Sequence, residues 1–207
     1  MKLFYLPGAC SMASHIVLNE IGKQVTLVKV GQQSKTTEEG EDYLSINPNG
    51  YVPALQLNDG TVLTENISLL TYLAEEDSSG GLALPTDRLA RAHLLGLLSF
   101  LTSELHKSYS PFFAEPKPEG SALIRARERL AARLGYLDSL LNDGRPYLTG
   151  AEFTVADAYA FVILNWSNAV AMSLEPWPTV VNYVQRIAQR PAVRDAMVAE
   201  GLLAEAA

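Results

Sequence analysis

The spacing of apolar residues changes character once along the chain. Up to about residue 75 they come in short blocks, and residues 2–5 and 25–30 read as strands, the second alternating apolar with polar positions and rich in β-branched residues. Between them Pro7-Gly8-Ala9 predicts a turn that delivers Cys10 to the start of a helix running to about Gly22. Residues 31–48 are polar and irregular, with one helical turn expected near 41–46. Residues 54–57 and 61–63 flank Asn58-Asp59-Gly60, whose Asp-Gly pair is a strong hairpin signal. A helix over 67–75 completes the order β-α-β-α-β-β-α, a small α/β domain.

The cluster Ser78-Ser79-Gly80-Gly81, followed by Pro85, marks a linker, and beyond it every apolar pattern is helical. Leu94, Leu97, Leu98, Leu101 and Leu105 recur at three and four, which predicts one long amphipathic helix over 87–113 that ends near Pro111. Leu123, Leu130, Leu134, Leu137 and Leu141 do the same over 121–141, until Asn142-Asp143-Gly144-Arg145-Pro146 breaks the helix. Thr154 and Asp157 then stand at capping-box spacing before an apolar helix to about 170. Trp177-Pro178-Thr179 opens a further helix that stops before Arg190-Pro191, and a short one follows to about 201. The expected domains are residues 1–80, α/β, and residues 87–207, all-helical.

Composition narrows the function classes. A chain of 207 residues with 48% hydrophobic positions can bury a substantial core. Its net charge of −7 leaves no basic face, so no nucleic-acid partner is expected and an anionic ligand must be held by local groups. The single cysteine excludes an internal disulfide. The N-terminal apolar stretch reads as a strand stopped at Pro7-Gly8, no apolar run reaches the length of a membrane span, and a cytoplasmic protein with no membrane partner is expected. His15, His93 and His106 form no ligand cluster, and no acidic pair has metal-site spacing, so no metal is expected.

Two stretches carry candidate chemistry. In Asn49-Gly50-Tyr51-Val52-Pro53-Ala54-Leu55, proline stands where a strand begins, and its missing N–H and fixed φ free the backbone groups of Val52 to pair with an extended peptide. The Val52-Pro53 bond is expected to be cis. Glu65 and Asn66 fall at the N-terminus of the next helix, where unpaired N–H groups and the positive dipole end hold a carboxylate. A lone cysteine is by base rate a small buried hydrophobe. Cys10 instead begins a helix, which favours its thiolate. Cys10-Ser11-Met12-Ala13 has no second cysteine, so only monothiol chemistry is open to it.

Val52-Pro53, Glu65-Asn66 and the Thr154 to Asp157 box at these distances resemble a cytosolic glutathione S-transferase over the whole chain. Cys10 after Pro7-Gly8-Ala9, together with Glu104-Leu105-His106-Lys107, resembles the bacterial beta class. The resemblance implies an α/β thioredoxin-like N-terminal domain, an all-α C-terminal helical domain and a homodimer. It implies glutathione as co-substrate, with Val52 and Pro53 at its cysteinyl backbone, Glu65 and Asn66 at the γ-glutamyl end, and Lys35 at the glycyl carboxylate. The class often carries Ser or Gly where this chain has Asn66, so what carries over there is the backbone N–H. His106 and the segment from Ser103 would face Cys10, and Glu104 would reach the γ-glutamyl ammonium of the partner subunit's ligand. Tyr109, Phe112, Phe113 and Trp166 are candidates for an apolar electrophile pocket.

The function expected on this basis is conjugation of the glutathione thiol to apolar electrophiles, a detoxification chemistry, with Cys10 and His106 first in rank as catalytic residues and Ser11 and Tyr5 behind them. The alternatives are a monothiol glutathione-dependent disulfide reductase or peroxidase using Cys10, and a non-catalytic binding protein of the same fold. The joint presence of Cys10, Lys35 and Glu65 argues against the last.

Overall fold

The computed structural model describes residues 1–82 and 84–204. Contacts divide the chain into two units, Met1–Leu84 with the segment from Gln189, and Pro85–Ala188. The final three positions of the 87–207 stretch lie outside the described residues.

In the first unit strand β1 (Lys2–Tyr5) is central. It pairs in parallel with β2 (Thr26–Lys29) through helix α1 (Ser11–Glu20), the crossover that parallel neighbours require. On its other edge it pairs antiparallel with β3 (Ala54–Gln56), which forms the hairpin with β4 (Val62–Thr64), in the order β2-β1-β3-β4. The two-residue side-chain period puts Phe4, Val28 and Ala54 on one face, where Tyr43 and Val30 complete a buried cluster. The expected strand over 25–30 is observed over Thr26–Lys29, and Val30, whose N–H still donates to the Tyr5 carbonyl, forms an isolated bridge with Thr37. The expected turn near 41–46 is a short 3-10 helix, Tyr43–Ser45, with its Leu44 N–H capped by the Asp42 carboxylate. Gly60 takes φ 89° in the hairpin, and Asp59 accepts the Thr61 N–H.

Helix α1 is buried from Ser11 to Leu18, on more than one face, because α2 (Asn66–Glu75) packs on one side of it and α8 (Pro191–Ala199) on another. Polar contacts lock α8 in place. Arg190 donates to both carboxylate oxygens of Glu20, at 2.6 and 2.9 Å, and Asn19 donates to the Ala192 carbonyl.

The second unit is helical: α3 (Arg88–Phe100), α4 (Lys107–Phe113), α5 (Gly120–Leu141), α6 (Val155–Ala169) and α7 (Pro178–Ala188). The expected single helix over 87–113 is instead α3 and α4 joined by a π-helical stretch, Leu101–His106, and it continues past Pro111 to Phe113. Leu94, Leu98, Leu101 and Leu105 are buried as the stripe predicts, and fully burying each such side chain contributes about 1.5–3 kcal/mol. Helix α6 is buried on all sides from Val155 to Leu164. Its capping box forms: Asp157 accepts the Thr154 N–H at 2.8 Å, and the Leu148 N–H and Tyr183 hydroxyl also converge on this carboxylate. No helix of the described residues is long and apolar enough to cross a membrane.

Candidate functional site

The β1-α1 turn is tied down at several points, and that fixes Cys10. The Ser11 hydroxyl exchanges hydrogen bonds with the Leu6 backbone, donating to its carbonyl and accepting from its N–H. Gly8, with φ 69°, donates its N–H to Glu200 at 2.8 Å, and the other oxygen of that carboxylate meets His15 Nδ1 at 2.9 Å in a buried pair. Cys10 stands immediately before α1, partly exposed, and its Sγ donates to the Val52 carbonyl at 3.3 Å. Ser11 is thereby committed to the turn. Tyr5 is buried in β1, and burial followed by the nearby Glu200 pushes its hydroxyl pKa up.

The Val52-Pro53 bond is cis, and Pro53 is buried while Val52 is half-exposed. The carbonyl before Val52 is held inward: Tyr43 Oη and Asn47 Nδ2 both donate to the Tyr51 oxygen, each at 2.7 Å. Lys35, whose own backbone has φ 53°, donates through Nζ to the Gly50 carbonyl at 2.8 Å. Gly50 itself has φ 66°, and a Cβ there would stand 3.0 Å from Leu44, so the turn requires glycine. The Val52 N–H has no partner among the described residues.

Glu65 precedes α2 with φ 68° and ψ 121°, is exposed, and makes no side-chain cap. The unsatisfied N–H groups of the first turn therefore remain available beside a free carboxylate. Asn66 is buried, its Oδ1 accepting from the Ser14 hydroxyl at 3.2 Å, and its Nδ2 has no partner among the described residues. The side chain of Asn66 thus belongs to the α1-α2 packing.

In the second unit the π-helical stretch carries Ser103, Glu104 and His106. Ser103 is exposed and its hydroxyl donates back to the Ser99 carbonyl. One oxygen of Glu104 accepts from Arg133 at 3.0 and 2.6 Å, which holds its carboxyl pKa below the usual range. His106 is neutral at ordinary pH: burial, with Lys107 beside it, pushes it down to about 4. Its Nδ1 meets the Tyr159 hydroxyl at 2.8 Å. The ring of Trp166 meets His106, Phe113 and Tyr109 edge-on, at 4.7, 5.7 and 5.8 Å. Tyr109 is fully buried, its hydroxyl bonded to Ser167 at 2.6 Å, so it supports this cluster from beneath. Phe112 is half-buried and Phe113 exposed. Among the described residues no group of three His, Cys, Asp or Glu side chains could hold a metal ion.

The structure therefore brings Cys10 to Val52, Lys35 to the turn before it, and His106 to Trp166. It adds Tyr43, Asn47 and Glu200, which sequence reasoning passed over. The one local signal was Tyr43 standing four residues before Asn47 in a turn-forming Asn47-Pro48-Asn49-Gly50 run.

Residues 8–76 match the family description "Glutathione S-transferase, N-terminal domain" and residues 103–197 match "Glutathione S-transferase, C-terminal domain". Glutathione S-transferase GstA of Escherichia coli is 44% identical over 202 residues, 98% of this chain and all of that protein. A sphingomonad glutathione S-transferase solved in complex with glutathione is 45% identical with a TM-score of 0.92, covering 98% of this chain and all of that one. A bacterial beta-class glutathione S-transferase from Sphingomonas chungbukensis is 43% identical with a TM-score of 0.92 at the same coverage. With the four-stranded thioredoxin-like unit and the helical unit already described, the chain belongs to the glutathione S-transferase family, as a transferase of the bacterial beta-class type.

Proposed function

We propose that the chain conjugates the thiol of glutathione to apolar electrophiles. The observation that carries this reading is the backbone of Val52, with its N–H unpartnered and its carbonyl 3.3 Å from Cys10 Sγ. An extended tripeptide pairs its cysteinyl backbone with Val52 beside Pro53, as a strand pairs with a sheet edge. Its γ-glutamyl ammonium meets the free carboxylate of Glu65, its γ-glutamyl carboxylate takes N–H groups at the start of α2, including that of Asn66, and its glycyl carboxylate takes Lys35.

The protein's chemical task is to keep the glutathione sulfur ionised by donating hydrogen bonds to it. The thiolate then attacks the electrophilic carbon, a carbon–sulfur bond forms, and the leaving group departs with its electron pair or an activated double bond takes up a proton. Cys10 is the donor in the first unit. His106 acts as a neutral imidazole whose Nδ1 meets the Tyr159 hydroxyl; in the tautomer that accepts there, the ring proton sits on Nε2, the donor of the second unit. The electrophile meets Trp166, Phe112 and Phe113, with Ser103 at the exposed edge of the π-helical stretch and Tyr109 behind Trp166.

The functional halves are residues 1–80 for glutathione and 87–207 for the electrophile, and the working form is a cytoplasmic homodimer. Two exposed leucines of α3, Leu89 at 64% and Leu95 at 39% exposure, support dimerisation, and Glu104, oriented by Arg133, serves the partner subunit's ligand. A second reading, a monothiol disulfide reductase, draws on the partial exposure of Cys10. There the Cys10 thiolate attacks a disulfide, one thiolate leaves, and a second glutathione resolves the mixed disulfide.

Calorimetric titration with glutathione, followed by turnover with a chloronitrobenzene and with a mixed disulfide, tests both. Binding with aryl transfer lost in Cys10→Ala and His106→Ala is expected. No binding at millimolar glutathione overturns the proposal, and disulfide turnover without conjugation selects the second reading.

A further inference from the structure

We infer that Tyr43 and Asn47 are positioning residues for glutathione, acting through the peptide group between Tyr51 and Val52; this rests on the reading that the tripeptide pairs with Val52. Both side chains are buried, yet both spend a donor on one backbone oxygen, that of Tyr51, at 2.7 Å each. A carbonyl oxygen has two lone pairs, and here both are used. The Tyr51-Val52 bond is trans, and in a trans peptide the C=O and the following N–H point in opposite directions. Holding the Tyr51 oxygen toward the interior therefore aims the Val52 N–H the other way. That N–H is the one without a partner among the described residues, and Val52 is half-exposed.

The holding groups are themselves fixed. The Tyr43 ring packs against Phe4 at 5.6 Å within the cluster that includes Val28 and Ala54, with the Val52 side chain against it. Asn47 is oriented by accepting the Asn49 N–H, and its own carbonyl accepts the Gly50 N–H. The Tyr51 side chain is 73% exposed, so nothing but its backbone oxygen is held. A loop fixed only for stability does not need two buried donors on a single carbonyl adjacent to an unpaired N–H. A loop that must present this N–H to the cysteinyl carbonyl of a ligand does.

The test crosses two variants with three ligands. Tyr43→Phe keeps the ring in the core and deletes one donor; Asn47→Ala deletes the other, together with the acceptor of the Asn49 N–H, and leaves the Tyr43 ring in place. Glutathione and γ-glutamylcysteine both carry the cysteinyl carbonyl, whereas γ-glutamylcysteamine keeps the γ-glutamyl end and the thiol but lacks it. Each variant is expected to raise the Kd of the first two about five-fold, the worth of one well-aimed hydrogen bond, and to leave γ-glutamylcysteamine within about two-fold. In turnover, KM for glutathione rises while kcat at saturation stays near the parent value. Equal weakening of all three ligands, or no weakening of glutathione in either variant, overturns the inference. Weakening of glutathione alone, with γ-glutamylcysteine spared, also overturns it and places the effect on Lys35 and Gly50. If Tyr43→Phe melts below the assay temperature, the Asn47→Ala row decides. If the parent binds none of the three, the glutathione reading itself has failed, and that is seen before any variant is made.

Discussion

Replacing Glu65 by glutamine separates ligand binding from fold more cleanly than any other single change. The carboxylate is exposed, forms no cap on α2, and stands outside every ion pair of the described residues, so deleting its charge removes no interaction of the folded chain. The backbone at φ 68° and ψ 121° is sparsely populated for any side chain and costs on the order of 1–3 kcal/mol, but glutamine meets the same cost. Stability should therefore stay within about 0.5 kcal/mol of the parent, as for surface changes in general. The ligand loses more. A charge-assisted hydrogen bond to the γ-glutamyl ammonium is worth about 1.5–3 kcal/mol, which is roughly a ten-fold to hundred-fold rise in Kd. Because the site is open to solvent, the difference between parent and variant should shrink as salt rises. The assay is calorimetric titration with glutathione at two ionic strengths, alongside chemical denaturation. Glu39→Gln, at the exposed and loosely paired Lys2–Glu39 contact of 3.8 Å, serves as the control and should change neither quantity. Binding by Glu65→Gln within about two-fold of the parent would refute the placement of the γ-glutamyl group. So would a loss of binding that tracks a loss of stability.

Asp157→Ala leaves the buried Leu148 N–H and Tyr183 hydroxyl without an acceptor and removes a helix cap, so denaturant titration should show a loss of about 3–6 kcal/mol, with less in Asp157→Asn. His106 has a folded pKa of about 4 against an ordinary 6.5, so the unfolded chain binds more protons between those values and stability falls as pH drops through that window; the difference in melting temperature between the parent and His106→Gln should change with pH there and be constant above pH 7. For the same reason the pH profile of conjugation should show no inflection from His106 between pH 5 and 8. Alkylation of Cys10 by iodoacetamide should slow at least about ten-fold with S-methylglutathione at tens of Kd, and an unchanged rate would place the tripeptide away from Val52.

Much of the site was legible because short-range chemistry defines it. Val52-Pro53 reads as an interrupted strand, Asp59-Gly60 as a hairpin, and Thr154 with Asp157 as a capping box, and each forms. The π-helical stretch was not legible. Over six residues the spacing of Leu101 and Leu105 fits an α-helix as well as a wider turn, so the apolar pattern cannot separate them. Glu104 with Arg133, Gly8 with Glu200 and Tyr43 with Tyr51 were hidden for a different cause. Each is a polar contact chosen by tertiary packing, and nothing in the local sequence of either partner names the other. Tyr109 is instructive in the other direction: an aromatic residue near a helix end reads equally as pocket wall or core, and only its complete burial with Ser167 on its hydroxyl decides.

The return of α8 to α1 sets an order of events during synthesis. The β1-α1 turn leaves the ribosome well before residues 190–200, in which the Gly8 N–H, His15, Asn19 and Glu20 find their partners. At roughly 5–20 residues per second, several seconds or more separate the emergence of β4 and α2 from the arrival of Glu200. The helical unit is complete in the interval. The earlier-made segment is thus finished only by the later one, and for that time the segment carrying Cys10 waits with a buried-type histidine and an α1 face still open to water, the stretch of its life when a chaperone has most to hold.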